Sequence, residues 1–245
     1  MNRLENRLAI VTGGASGFGE GIVRRFALEG ARVIIVDLNG EAAAKLAAEL
    51  GDQTRPFAAD VSKDADIAAL AEAAGPVDIL VNNAGIGHLP QPLEGLPEDE
   101  FDRLFAVNAK SVYLTARHFV PGMKARGKGA ILNVASTGGV SPRPNLTWYN
   151  ATKGWMITAT RAMAVELAPS GLRVNAINPV AGETPLLSTF MGQDTPEIRA
   201  KFLASIPLGR FSTPADMGAA AAFLCSDDAS MVTGVAMEVD GGRCI

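Results

Sequence analysis

Tyr149 and Lys153 stand four residues apart in the string Trp-Tyr-Asn-Ala-Thr-Lys, and Ser136 lies upstream at the end of an apolar run. On a helix that spacing puts phenol and ammonium on one face. A free tyrosine titrates near ~10 and a neighbouring cation favours its phenolate, so Lys153 is expected to lower the Tyr149 pKa. A phenol tuned in this way can act as an acid or a base near neutral pH. A hydroxyl, a titratable phenol and a cation are the inventory of a site that moves a proton to or from an oxygen.

The other end of the chain carries a second signal. Leu8-Ala9-Ile10-Val11 reads as a strand and runs into Thr12-Gly13-Gly14-Ala15-Ser16-Gly17-Phe18-Gly19. Glycines here let the backbone turn tightly and approach a diphosphate, and the helix that follows points its first N–H groups at the anion. The spacing is G-x-x-x-G-x-G rather than the more familiar G-x-G-x-x-G; its context, strand before and helix after, is what gives it weight. A second strand ends at Asp37, where a carboxylate would accept hydrogen bonds from an adenosine ribose and repel a 2′-phosphate. One unit-charge pair at ~4 Å is worth roughly 1 kcal/mol in water and ~4 kcal/mol at an intermediate dielectric. Leu38-Asn39 follows Asp37 and Ala15-Ser16 stands in the turn, so no cation is at hand for a phosphate. NAD is therefore expected over NADP.

The elements that must position these residues alternate along the chain. Strand patterns fall at Leu8–Val11, Val33–Val36, Thr54–Ala58, Ile79–Val81, Ala130–Val134, Arg173–Ile177 and Val235–Val239. Helical periodicity runs over Gly19–Glu29, Glu41–Leu50, Asp64–Ala74, Phe101–Lys124, Ala151–Ala168 and Pro214–Leu224. Strands that are apolar on both sides and separated by helices indicate a doubly wound parallel β-sheet with helices on both faces, an α/β Rossmann fold. A chain of 245 residues, 48% hydrophobic and 20% charged, suits one domain over 1–245. The irregular stretch 181–210, with Pro185, Pro196 and Pro207 around a short helix, is long for a compact domain and is expected to be a substrate lid.

Composition also excludes. A net charge of −4 without a sustained basic stretch argues against nucleic acid and anionic membrane surfaces as partners. Met1 to Arg7 mixes charges and has no apolar stretch, and no apolar segment is long enough to cross a bilayer, so a cytoplasmic location is expected. Cys225 lies in an alanine-rich run and reads as a buried structural thiol. His88 and His118 are too few and too far apart for a metal site, and none is expected.

Taken in order, Thr12-Gly13-x-x-x-Gly17-x-Gly19, Asp60-Val61, Asn82-Asn83-Ala84-Gly85, Asn108, Ser136, Tyr149-x-x-x-Lys153, Asn178-Pro179 and Thr184 resemble the short-chain dehydrogenase/reductase family, in its single-domain branch, over essentially the whole length. The resemblance implies a catalytic set of Asn108, Ser136, Tyr149 and Lys153. Tyr149 would be the general acid/base, Ser136 would bond the reacting oxygen, Lys153 would also bind the nicotinamide ribose, and Asn108 would hold a water that relays protons. It implies cofactor contacts from Gly13, Ser16, Gly17, Phe18 and Gly19, from Asp37 and Leu38, and from Asp60 and Val61. Asn83, Ala84 and Gly85, Tyr149 and Lys153, and Pro179, Val180, Gly182 and Thr184 complete that set, with Asn82 supporting the central sheet. A homotetramer built partly from the helices near Phe101–Lys124 and Ala151–Ala168 is also implied, with the C-terminal Asp240–Ile245 near a subunit boundary. There is one departure: the family usually has glycine after Pro179, and here the residue is Val180.

Substrate contacts are expected from Ile86, His88, Gly138, Arg143, Asn145, Val180, Glu183, Leu187 and Phe190, mostly apolar or small, which suits a modest secondary alcohol or ketone. Arg143 could clamp a carboxylate; a solvent-facing arginine between Pro142 and Pro144 is the simpler expectation, and His88 likewise reads first as a loop residue. Three functions fit: an NAD-dependent dehydrogenase of secondary alcohols, an NADPH-dependent 3-oxoacyl thioester reductase, and a silent cofactor sensor. Asp37 speaks against the second, and the intact Ser136, Tyr149 and Lys153 against the third.

Overall fold

A computed structural model describes residues 2–245. The strands are β1 (Leu8–Thr12), β2 (Arg32–Asp37), β3 (Thr54–Ala58), β4 (Ile79–Asn82), β5 (Gly129–Val134), β6 (Leu172–Pro179) and β7 (Ala236–Val239). They form one parallel seven-stranded sheet in the order β3-β2-β1-β4-β5-β6-β7. Side chains alternate across it, as a two-residue period requires. Ala9, Val11, Val33 and Ile35 face one core, shared with α1 (Gly17–Leu28), α2 (Gly40–Leu50) and α9 (Pro214–Cys225). Leu8, Ile10, Ile34 and Val36 face the other, shared with α3 (Asp64–Ala74), α5 (Ser111–Arg126) and α6 (Thr147–Leu167). This is the doubly wound fold the sequence pattern predicts.

The chain winds outward from β1 to β3 and then returns to β4 on the other side of β1. Such a reversal leaves a crevice at the carboxyl ends of the strands, where ligands bind in open α/β sheets. The glycine turn, Asp37, the Asn82–Gly85 segment, Ser136 and Pro179 all lie at those carboxyl ends.

Two boundaries differ from expectation in ways that matter. The stretch Phe101–Lys124 is not one helix: α4 (Glu98–Phe105) passes through a π turn at Ala106–Lys110 before α5 begins. The extra residue sets Asn108 inward, fully buried, with its amide bonded to Ile86. Its partner lies 22 residues away, which is why local periodicity misses it. Helix α6 starts at Thr147 rather than Ala151, so Tyr149 and Lys153 both fall inside it.

Val180 fits without disturbance. It is buried in a small separate core with Leu187, Met191, Ile206 and Phe211, which holds α7 (Leu186–Met191) and α8 (Pro196–Leu203) together. The two ends of this excursion are tied by backbone bonds, Glu183 N–H to the Ser212 carbonyl (2.9 Å) and Ser212 N–H to the Ala181 carbonyl (3.2 Å). Among the described residues no helix is long and apolar enough to cross a membrane.

Candidate active site

A cavity of about 640 Å³ runs along the crevice, within the usual range for small-ligand sites. Asp37, Leu38, Asp60 and Val61 line one end; Gly13, Ser16, Gly17, Phe18, Asn83, Ala84 and Gly85 line the middle. Ser136, Tyr149 and Lys153 follow, and Pro179, Val180, Gly182 and Thr184 lie along the far wall.

The glycine turn is built by close approach. Gly13 and Gly17 hold φ +61° and +54°, in the left-handed region that glycine tolerates. Gly19 does not line the cavity; a Cβ there would collide with the Gly13 carbonyl oxygen, so its part is to let the helix start against the turn. Side chains pin the turn from both sides. Asn83 Nδ2 donates to the Thr12 and Gly13 carbonyls, each at 2.9 Å, and the Asp37 carboxylate accepts the Ala15 N–H at 3.0 Å. Asp37 is thus a turn brace as well as a lining group. Asp60 accepts from the Ser62 hydroxyl and N–H, and the hydroxyl bond foremost holds its carboxyl below the usual range. Asn82 belongs to the sheet itself, in a buried chain with Thr115, Asn133 and Thr160.

Toward the other end the residues converge around α6. Lys153 is buried and donates from Nζ to the Val134 carbonyl at 2.9 Å, with Nζ 5.8 Å from the Tyr149 ring centre. Burial pushes the lysine down to about 8. It also pushes the Tyr149 phenol up to about 12, opposed by the Ser136 hydroxyl. The phenol is therefore not depressed as expected: desolvation of the phenolate raises it, and the group that opposes the rise is Ser136 rather than Lys153. Asn108 lies behind this group rather than in the cavity, donating to the Ile86 carbonyl (2.9 Å) and the Thr152 hydroxyl (3.1 Å). A Cβ on Gly85 would be 3.4 Å from both Asn108 Oδ1 and Lys153 Nζ, so both face the same small space.

Of the expected substrate contacts, Ile86, Gly138, Arg143, Val180, Leu187 and Phe190 line the cavity. His88, Asn145 and Glu183 do not: His88 is buried against the Leu89 carbonyl, and Asn145 is exposed in a left-handed turn. Phe190 packs against Tyr149, ring centres 4.7 Å apart. Sequence reasoning missed the Val134 carbonyl and Thr152, because nothing in their type or spacing marks them. It also missed Gly139, where a Cβ would meet the Lys153 backbone at 2.7 Å.

Comparison with known proteins agrees. A family model described as enoyl-(acyl carrier protein) reductase matches residues 13–243. The chain is 51% identical to 4-formylbenzenesulfonate dehydrogenase of Comamonas testosteroni, covering 99% of each. It is 40% identical to 2-(S)-hydroxypropyl-CoM dehydrogenase 3 of Xanthobacter autotrophicus, covering 98% of each. A crystal structure of 3-ketoacyl-(acyl-carrier-protein) reductase from Brucella melitensis complexed with NADH superposes with a TM-score of 0.94 at 55% identity, covering 99% of this chain and 100% of that one. The chain belongs to the short-chain dehydrogenase/reductase family. Proteins of this family are oxidoreductases that use nicotinamide cofactors. The cavity suits such a group: glycine backbone leaves room for a diphosphate at the start of α1, where the first N–H groups lack helical acceptors.

Proposed function

We propose that this dehydrogenase/reductase interconverts a small secondary alcohol and its ketone using NAD(H), with Tyr149 as the general acid/base. One observation carries the reading: a single cavity joins the Asp37 carboxylate and the glycine turn to Ser136, Tyr149 and Lys153. Asp37 and Leu38 would take the adenosine ribose, Asp60 and Val61 the adenine, and Ser16, Gly17 and Phe18 the diphosphate. Asn83, Ala84, Gly85, Pro179, Val180, Gly182 and Thr184 would enclose the rest. The carboxylate of Asp37, which lines the cavity, favours NAD over NADP. When bound, the nicotinamide supplies the hydride acceptor.

The chain's own part is the proton. Ser136 hydrogen-bonds the substrate oxygen, and Tyr149 takes the hydroxyl proton during oxidation and returns it during reduction. Lys153, held by the Val134 carbonyl, stabilises the phenolate, and the proton taken by Tyr149 is relayed past Lys153 toward solvent through a water held by Asn108. Segment 181–210 acts as the lid, its Phe190 shielding Tyr149 from water. The dehydrogenase names of the two curated relatives support the oxidative direction. The reverse reading, reduction of 3-oxoacyl thioesters, is favoured by the name of the Brucella structure. Exposed Tyr113, Trp155 and Val165 on α5 and α6 support assembly through those helices.

Tyr149→Phe tests the assignment. Loss of the acid/base should lower kcat about 10²- to 10⁴-fold while cofactor affinity measured by titration stays near the parent's. Turnover within a few-fold of the parent would sink it.

A further inference from the structure

Arg143 lies in the loop before α6 and, against the simpler expectation of a solvent-facing side chain, is half-buried and lines the cavity at the end beyond Tyr149. Its guanidinium stacks over the Phe202 ring at 4.3 Å and donates from Nη2 to the Ser205 hydroxyl at 3.0 Å. No carboxylate pairs with it among the described residues. The acidic residues that line the cavity, Asp37 and Asp60, follow β2 and β3 at the opposite end. A second arginine stands behind the first. Arg243, near the C-terminus, donates to the Ser141 hydroxyl at 3.2 Å, and its buried Nε has no partner. Burial and then the Arg243 charge push the Arg143 guanidinium below its usual range.

Two adjacent cations without a counter-ion are costly in a partly desolvated place. An arginine fork offers several N–H donors to a carboxylate or sulfonate, and only one of Arg143's has a protein acceptor. Leu146, Leu187, Phe190 and Phe202 give the cavity apolar lining beside this fork, with Ser141 and Asn150 as polar lining groups.

We propose that Arg143, backed by Arg243, is the anchor for an oxyanion at the far end of the substrate, so that the substrate is an alcohol or carbonyl compound with a flat apolar body and a carboxylate or sulfonate group. This deepens the oxidoreductase reading and rests on it. The loop carrying Arg143 is fixed to the catalytic helix, since Asn150 Nδ2 donates to the Arg143 carbonyl at 2.8 Å. Phe202 and Ser205 come from the end of α8 and the turn after it, so the lid and the anchor meet at one point.

Calorimetric titration of the protein, with and without NAD⁺, tests the anchor using benzoate, benzenesulfonate and the neutral isostere benzamide. At least one anion should bind about tenfold or more tightly than benzamide, and the tighter of the two identifies the group recognised. Arg143→Met keeps the side-chain bulk over Phe202 and should weaken anion binding about 10- to 100-fold, a loss at least tenfold greater than any loss for benzamide. Arg143→Lys should recover part of it. Benzamide binding as tightly as both anions overturns the proposal, as does an Arg143→Met variant that melts like the parent and binds anions equally well. Failure of the oxidoreductase reading looks different: anion binding persists while NAD⁺ binding or Tyr149-dependent turnover is missing.

Discussion

The two ends of the cavity are built by different means. At the cofactor end the parts are backbone and short polar side chains at strand ends: Gly13 and Gly17 in left-handed turns, Asn83 on the Thr12 and Gly13 carbonyls, Asp37 on the Ala15 N–H. At the substrate end they are apolar contacts within an excursion of two short helices, closed by Val180, Leu187, Met191, Ile206 and Phe211, with Arg143 set against Phe202. Close backbone approach leaves almost no freedom of residue type, whereas an apolar cluster accepts many combinations of similar volume. On the proposed reading the first end fixes the cofactor, and the second can be re-fitted to new substrates without disturbing it.

That contrast can be broken at three points. The largest effect is expected for Asp37→Asn, which removes the charge and keeps an oxygen for the Ala15 N–H, while the Asn39 N–H loses its acceptor. The NAD over NADP preference, read from kcat/KM for both cofactors, should fall by ~1–4 kcal/mol, several-fold to about a thousandfold. A preference unchanged from the parent would leave Asp37 as a turn brace alone.

Lys153→Met comes next, at the junction of the two ends. Lys153 sits at about 8 in the folded protein and near 10.5 in the unfolded chain, so below pH 8 both states hold the proton and the fold carries the full cost of the buried charge. Between pH 8 and 10.5 the unfolded state binds more protons and stability rises. Removing the charge should raise stability at pH 7 by up to about 3 kcal/mol, a gain that vanishes as pH passes 10.5. Chemical unfolding across that range checks it; a variant no more stable at pH 7 would mean the charge is already compensated.

The smallest effect is Ile206→Val, which trims the substrate-end cluster by one methylene at about 0.5–1.5 kcal/mol. Hydrogen exchange should speed up in α7 and α8 and stay unchanged in α1 and β1. Equal acceleration at both ends would show that they are not independent.

Much of this contrast is legible in the sequence, and unevenly so. Alternation of strands and helices follows from local periodicity; the glycine turn, Asp37, Ser136 and Tyr149–Lys153 are recognisable because their geometry demands particular residue types, and Asn82–Gly85 through the family resemblance. The π turn at Ala106–Lys110 is not, because it is stabilised by Asn108 reaching Ile86 across the cavity's floor rather than by any local pattern. The high Tyr149 pKa is not, because burial can only be seen in three dimensions. Nor is the pairing of Arg143 with Arg243, which brings together residues a hundred positions apart. His88, two positions from the lining Ile86, and Asn145, next to the lining Leu146, stay out of the cavity for the same reason.

The most direct measurement is nicotinamide reduction by the purified protein, with NAD⁺ and NADP⁺ in parallel, over matched neutral and anionic secondary alcohols. Alcohol-dependent reduction of NAD⁺, faster than that of NADP⁺, is the predicted result. No alcohol-dependent reduction of either cofactor at saturating concentration would contradict the account.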